Sequence, residues 1–191
     1  MDMLCWVQAL DWTVLRWIQR VFSCGFLDFL MPKVSFLANG GAVWILAALG
    51  LLCIKKYRRY GVFLLAGLAL GVLAGNAVLK NLIARPRPCW LDTGVQLLIA
   101  NPTDFSFPSG HTLASSIGAT VLTRANRKFG WAAVPLAVLI AFSRLYLYVH
   151  FPTDVLGAAL LGVLIGFFSV CMGTKLWDGA ARRRAMAPRN S

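Results

Sequence analysis

Gly61 to Leu79 reads GVFLLAGLALGVLAGNAVL, nineteen residues without a charge. A helix that crosses a bilayer needs about 20 apolar residues, so this run is long enough to span. Four further runs have similar character: Val34 to Ile54, Phe105 to about Thr123, Trp131 to Val149 and Val155 to Met172. Hydrophobic residues make up 59% of the chain and mean hydropathy is +0.69, well above an ordinary soluble domain. The pattern predicts an all-α, polytopic transmembrane helical bundle of about five spans. Paired glycines weaken a helix unless neighbours support its loosened backbone, so Asn39-Gly40-Gly41 predicts a bend in the first span.

The N-terminal stretch differs from these runs. Over residues 3 to 22, Gln8, Asp11, Arg16, Gln19 and Arg20 fall on one helical face, with Trp6, Leu10, Val14, Trp17 and Val21 opposite. Such a helix suits the membrane interface. A sixth span is the alternative, disfavoured because Asp11, Arg16 and Arg20 are costly at the midplane. Asp2, and the lack of a basic start and a small-residue cleavage site, argue against a cleavable signal peptide. The expected division is an interfacial helix over 1–25, a transmembrane domain over 26–175 and a basic cytoplasmic tail over 176–191.

Charge orients the bundle. Of 19 Lys and Arg, 12 lie in Lys55 to Arg59, Arg124 to Lys128 and the tail from Lys175 to Arg189, which the positive-inside rule makes cytoplasmic. The alternation then places residues 1–33, the 84–107 loop and the turn at His150 on the opposite side, together with six of the seven aspartates. The net charge of +12 reads as topology plus attraction to anionic lipid, with no nucleic acid expected as a partner. Five cysteines lack C-x-x-C or zinc spacing and read as packing residues. There is no glutamate and no carboxylate cluster for Mg²⁺, and no P-loop or G-x-G-x-x-G string, so neither a metal nor any other cofactor is expected.

The chemistry-bearing residues gather at the non-cytoplasmic ends of the spans. The only two histidines, His111 and His150, lie near Lys80, Arg85, Arg87 and Arg144, a gathering that suits a phosphate with two or more negative charges. Pro108-Ser109-Gly110-His111 starts a helix whose first-turn N–H groups, Ser109 hydroxyl and dipole suit an anion; a plain helix start is the competing reading. Pro152 starts the last span. His150 then sits just outside it, and Asp154, one turn on, is placed to orient the imidazole or to cap the helix.

In order and internal spacing, Lys80-x6-Arg87-Pro88, Pro108-Ser109-Gly110-His111 and Ser143-Arg144-x5-His150-x3-Asp154 resemble the three-part signature of the type 2 phosphatidic acid phosphatase superfamily. The resemblance covers roughly residues 26–175. It implies a metal-independent phosphatase in which His150 attacks phosphorus to form a phosphohistidine, Asp154 orients the imidazole, and His111 protonates the leaving oxygen and later activates water. It also implies that Lys80, Arg87, Arg144, Ser109 and the Gly110 N–H hold the equatorial oxygens. In the repeat Arg85-Pro86-Arg87-Pro88 the family spacing selects Arg87, while Arg85 remains a candidate to share its work.

A site at the outer membrane boundary, opening between spans, suits a phosphorylated membrane lipid. The small size resembles bacterial members acting on undecaprenyl diphosphate, and this is the expected substrate. Phosphatidate and phosphatidylglycerophosphate are the family alternatives. A phosphotransferase of the same family, a non-catalytic lipid-binding or transport protein and a haloperoxidase-like site are the remaining readings. The expected location is the cell membrane, with the site on the extracytoplasmic face.

Overall fold

The computed structural model describes residues 3–186, all of whose regular elements are helical. Helix α1 covers Met3–Phe22, α2 Gly25–Leu37 and α3 Ala42–Cys53. Helix α4, Arg58–Gly71, runs on through a π-helical segment, Val72–Leu79, into the short α5, Lys80–Ile83; α6 is Pro88–Leu91. Helices α7 (Gly110–Ala125), α8 (Arg127–Tyr146) and α9 (Pro152–Met186) complete the order.

Three helical stretches are long and apolar enough to cross a membrane: Arg58–Leu91, Arg127–Tyr146 and Pro152–Ala180. Helices α2 and α3 pass the same length and composition test only together, as a pair bent by 45° at Asn39–Gly41, where the sequence predicts a bend. Gly40 (φ 59°) and Gly41 (φ 74°) take left-handed backbone there, which only glycine adopts without a Cβ penalty. The bent pair starts at Gly25, earlier than the expected Val34, because Gly25 to Met31 is apolar apart from Asp28.

The fifth expected span is shorter than its hydropathy suggests. Residues 105–109 are not helical, and α7 has 16 residues, about 24 Å at 1.5 Å per residue against a hydrocarbon core of about 30 Å. It is the central helix, packed against α8, α9 and α4. Its small residues permit close approach, as at other helix contacts in membranes. At Gly118 a Cβ would lie 2.2 Å from Trp44 Cε3, and Trp44 is buried with its Nε1–H on Ser115 Oγ at 3.0 Å. Gly118→Ala is therefore expected to cost about 1–3 kcal/mol, the usual range for overpacking. A lowered Tm in detergent checks it; an unchanged Tm would contradict this packing.

Helix α1 packs on α8 and α9 through a mixed face, with Gln8 and Gln19 half-buried and Arg16 and Arg20 exposed. Asp11, Leu15 and Ile18 are buried, whereas Trp6, Leu10, Val14, Trp17 and Val21 face out. An outward apolar stripe suits lipid rather than water. The segment expected as a tail from 176 continues α9 as helix to Met186, and 187–191 lie outside the described residues.

Candidate active site

Three chain turns bring the expected residues to one end of the bundle. The first follows α5. Lys80 comes at the end of the π-helical segment, a wider winding often found at functional sites. Ala84 then turns left-handed (φ 48°), and Arg85-Pro86-Arg87 follows as irregular chain up to α6, because proline disfavours the helical region for the residue before it. Arg87 has φ −81° and ψ 154°, close to polyproline II, whose threefold period sends residues two apart in different directions. Physics thereby separates the two arginines. Arg87 lines the site cavity; Arg85 turns away, placing Nη1 2.6 Å from Asp154 Oδ1 and Nη2 2.6 Å from Asp11 Oδ2.

The second turn ends at α7. Ser109 caps this helix, accepting from the Thr112 N–H (3.5 Å) and hydroxyl (3.1 Å). Gly110 and His111 line the cavity, but Ser109 is fully buried and does not. The third turn joins α8 to α9. Tyr148 there takes a left-handed backbone (φ 60°), a strain of the order of 1–2 kcal/mol for a residue with a Cβ. It is held by burial and by its hydroxyl on Asp92 Oδ2 at 3.0 Å, and it presents His150 two residues later.

A cavity of about 880 Å³ unites these turns. Its polar lining includes Lys80, Arg87, Arg144, Gly110, His111 and His150; Ile45, Leu65, Leu68, Val72 and Ile117 form an apolar part of its wall. The His150 ring is pinned at both nitrogens. Arg87 Nη1 donates to Val149 O (2.7 Å) and faces His150 Nε2 at 3.1 Å, so Nε2 is the acceptor and the proton sits on Nδ1. Nδ1 is 3.4 Å from Ser106 Oγ, which donates to Asp154 Oδ2 at 2.5 Å; Nδ1 to Oδ2 directly is 3.8 Å. Asp154 thus acts on the imidazole largely through Ser106. It also performs the capping role, accepting the Phe151 N–H at 2.8 Å. Burial drives the His150 pKa down to about 3 against the hydrogen-bonding pull of Asp154, and the charges of Arg87 and Arg144 lower it further. The imidazole is therefore neutral near pH 7, with a lone pair on Nε2.

Four participants were not picked out from the sequence. Asn39 Oδ1 meets His111 Nε2 at 2.9 Å, Ser35 accepts from Arg144 Nη1, and Ser106 bridges as described. Asp104 pairs with both Lys80 Nζ and Arg87 Nη2, the latter at 2.7 Å, with its side chain 54% exposed. Partial burial alone would raise the Asp104 pKa, but the Lys80 hydrogen bond and the Arg87 charge outweigh it and hold the carboxyl at about 2. Their only sequence signal is polar character at the ends of apolar runs. Arg144 Nε is buried without a partner, an arrangement that an incoming anion would complete. Among the described residues no group of His, Cys and Asp is arranged to hold a metal.

Apolar helices that gather two histidines and three cations at one end of a cavity have the chemistry to bind a phosphate ester and move its phosphoryl group. The PAP2 superfamily profile matches residues 60–178, and the chain belongs to this superfamily. An undecaprenyl-diphosphatase of Sulfolobus acidocaldarius is 39% identical over 67% of this chain and 62% of its own length. The undecaprenyl-diphosphatase BcrC of Bacillus subtilis is 35% identical over 74% of this chain and 72% of its own. Among solved structures, a transmembrane PAP2-type phosphatidylglycerolphosphate phosphatase from Bacillus subtilis superposes with a TM-score of 0.72. It is 27% identical, over 88% of this chain and 87% of that one. Aquifex aeolicus LpxE gives 0.69 at 28% identity, over 84% and 94%.

Proposed function

We propose that this protein hydrolyses undecaprenyl diphosphate to undecaprenyl phosphate and phosphate, through a phosphohistidine at His150. The observation that carries the reading is the convergence of Lys80, Arg87 and Arg144 on the cavity that His150 lines. The cavity's apolar wall suits a lipid tail beside a charged head, and the names of the Sulfolobus and Bacillus relatives favour the diphosphate.

His150 Nε2 attacks the terminal phosphorus as the bond to the bridging oxygen breaks, and His111 gives that oxygen its proton. Lys80, Arg87, Arg144 and the Gly110 N–H hold the equatorial oxygens, where charge accumulates. Arg87 leaves the Nε2 lone pair for the phosphate as it binds. Water, losing its proton to His111, then attacks the phosphohistidine, releasing phosphate and restoring His150. Ser109 contributes by shaping the start of α7, since its hydroxyl is buried away from the cavity.

The distribution of Lys and Arg supports a cell-membrane protein with its site on the extracytoplasmic face and α1 lying along that interface. Phosphatidylglycerophosphate is the second reading, favoured by the superposition on the Bacillus subtilis enzyme. Phosphate release by purified protein in detergent and EDTA, with undecaprenyl diphosphate, phosphatidylglycerophosphate and phosphatidate offered separately, tests both. Metal-independent release fastest from the diphosphate is expected. Preference for another lipid would overturn the substrate, and no release from any would overturn the hydrolase.

Asp104 occupies two of the cations that a phosphate needs. Asp104→Asn is therefore expected to strengthen product inhibition by inorganic phosphate about tenfold, ~1.4 kcal/mol. A weaker inhibition constant in the variant would show instead that Asp104 serves to hold Lys80 and Arg87 in place.

A further inference from the structure

The polar side of α1 ends on the catalytic machinery. Asp11 is 2% exposed, and its carboxylate accepts from Arg85 Nη2 (2.6 Å), the Thr153 N–H (2.9 Å) and the Thr153 hydroxyl (2.5 Å). Arg85 Nη2 also donates to Gln8 Oε1 at 2.7 Å, and Nη1 to Thr153 Oγ1 (2.7 Å) and Asp154 Oδ1 (2.6 Å). The guanidinium lies 4.3 Å from the centre of the Phe151 ring. One cation, its side chain 17% exposed, is thus shared between the carboxylate of α1 and the carboxylate beside His150. Neither Asp11 nor Arg85 lines the cavity, and α1 lies wholly outside the residues matched by the superfamily profile.

We propose that Asp11, acting through Arg85, is a positioning residue for the Asp154–Ser106–His150 chain, so that α1 completes the active site from outside the signature motifs. This rests on His150 being the nucleophile. Arg85 fixes Asp154 Oδ1, leaving Oδ2 for Ser106 and the His150 side. The fork geometry of arginine lets one group serve both carboxylates. With Asp11 neutral, Arg85 keeps a single charged partner, draws closer to Asp154, and weakens the hold of Asp154 on the imidazole. Around metal-bound histidines, the carboxylates that orient the imidazole contribute about 10- to 100-fold to affinity or activity, and an effect of similar size is expected for this orienting role.

The test is a double-mutant cycle, which isolates coupling between two positions. Asp11→Asn is expected to lower kcat about tenfold with KM little changed, and to cause no further loss in an Asp154→Asn background. An equal loss in both backgrounds, or no loss in the wild type, would overturn the proposal. A second readout needs no turnover. The chain has only two histidines, so ¹⁵N-histidine labelling gives two sets of ring signals, assigned with His111→Gln. Asp11→Asn is expected to shift the His150 ring nitrogens and leave those of His111 in place. Unmoved His150 signals, or equal movement of both histidines, would overturn the positioning role even if the lipid acted upon proves different.

Discussion

His150→Ala abolishes phosphate release, the largest effect expected of any single substitution in this chain. The side chain supplies the covalent route itself, and without the imidazole the phosphoryl group loses its acceptor. The side chain is 1% exposed, so the alanine variant also leaves a hole; His150→Gln, closer in volume, keeps the packing and is expected to be equally inactive. Folded glutamine variant with wild-type turnover would remove His150 from the chemistry. Because burial holds the His150 pKa at about 3, the nucleophile keeps its lone pair from about pH 5 to pH 8. It protonates only as pH falls toward 3, so a loss of rate near pH 6 would belong to another group.

His111→Ala ranks second, with an expected loss of about 10²- to 10⁴-fold on a lipid diphosphate, the usual contribution of a placed proton donor. The loss shrinks with an activated ester such as para-nitrophenyl phosphate, whose leaving group departs without a proton. Equal losses on both substrates would contradict the acid role. Asn39 Oδ1 accepts from His111 Nε2 at 2.9 Å, tying the ring to the glycine bend between α2 and α3. The bend thus serves the site as well as the span: it returns the chain to the cavity at the level of α7.

Period and hydropathy make the all-helical membrane bundle readable, and motif order makes the principal site residues readable, because those features are local. The shortness of α7 is not local. Phe105 to Thr123 mixes apolar and small polar residues, and only its packing against α4, α8 and α9, with Trp44 close to Gly118, shows it as an enclosed central helix. Pairings across the chain are equally hidden. Asp104 and Ser106 sit in an irregular loop whose partners, Lys80, Arg87 and Asp154, are 17 to 48 residues away. The two arginines around Pro86 look equivalent in sequence and differ only once the polyproline-like turn aims them. Asp11 reads as one polar residue on an amphipathic face. The direction of Asp11, toward Arg85, is set by the packing of α1 on α8 and α9, which lie far along the chain from it.

The most direct test of the central claim is transfer of label from lipid carrying a ³²P-labelled terminal phosphate to the protein itself. Rapid quenching in alkali, followed by peptide mapping, is expected to recover a base-stable, acid-labile phosphohistidine at His150, made at the rate of turnover and missing in His150→Gln. Steady phosphate release with no protein-bound label, or label that persists in His150→Gln, would contradict it.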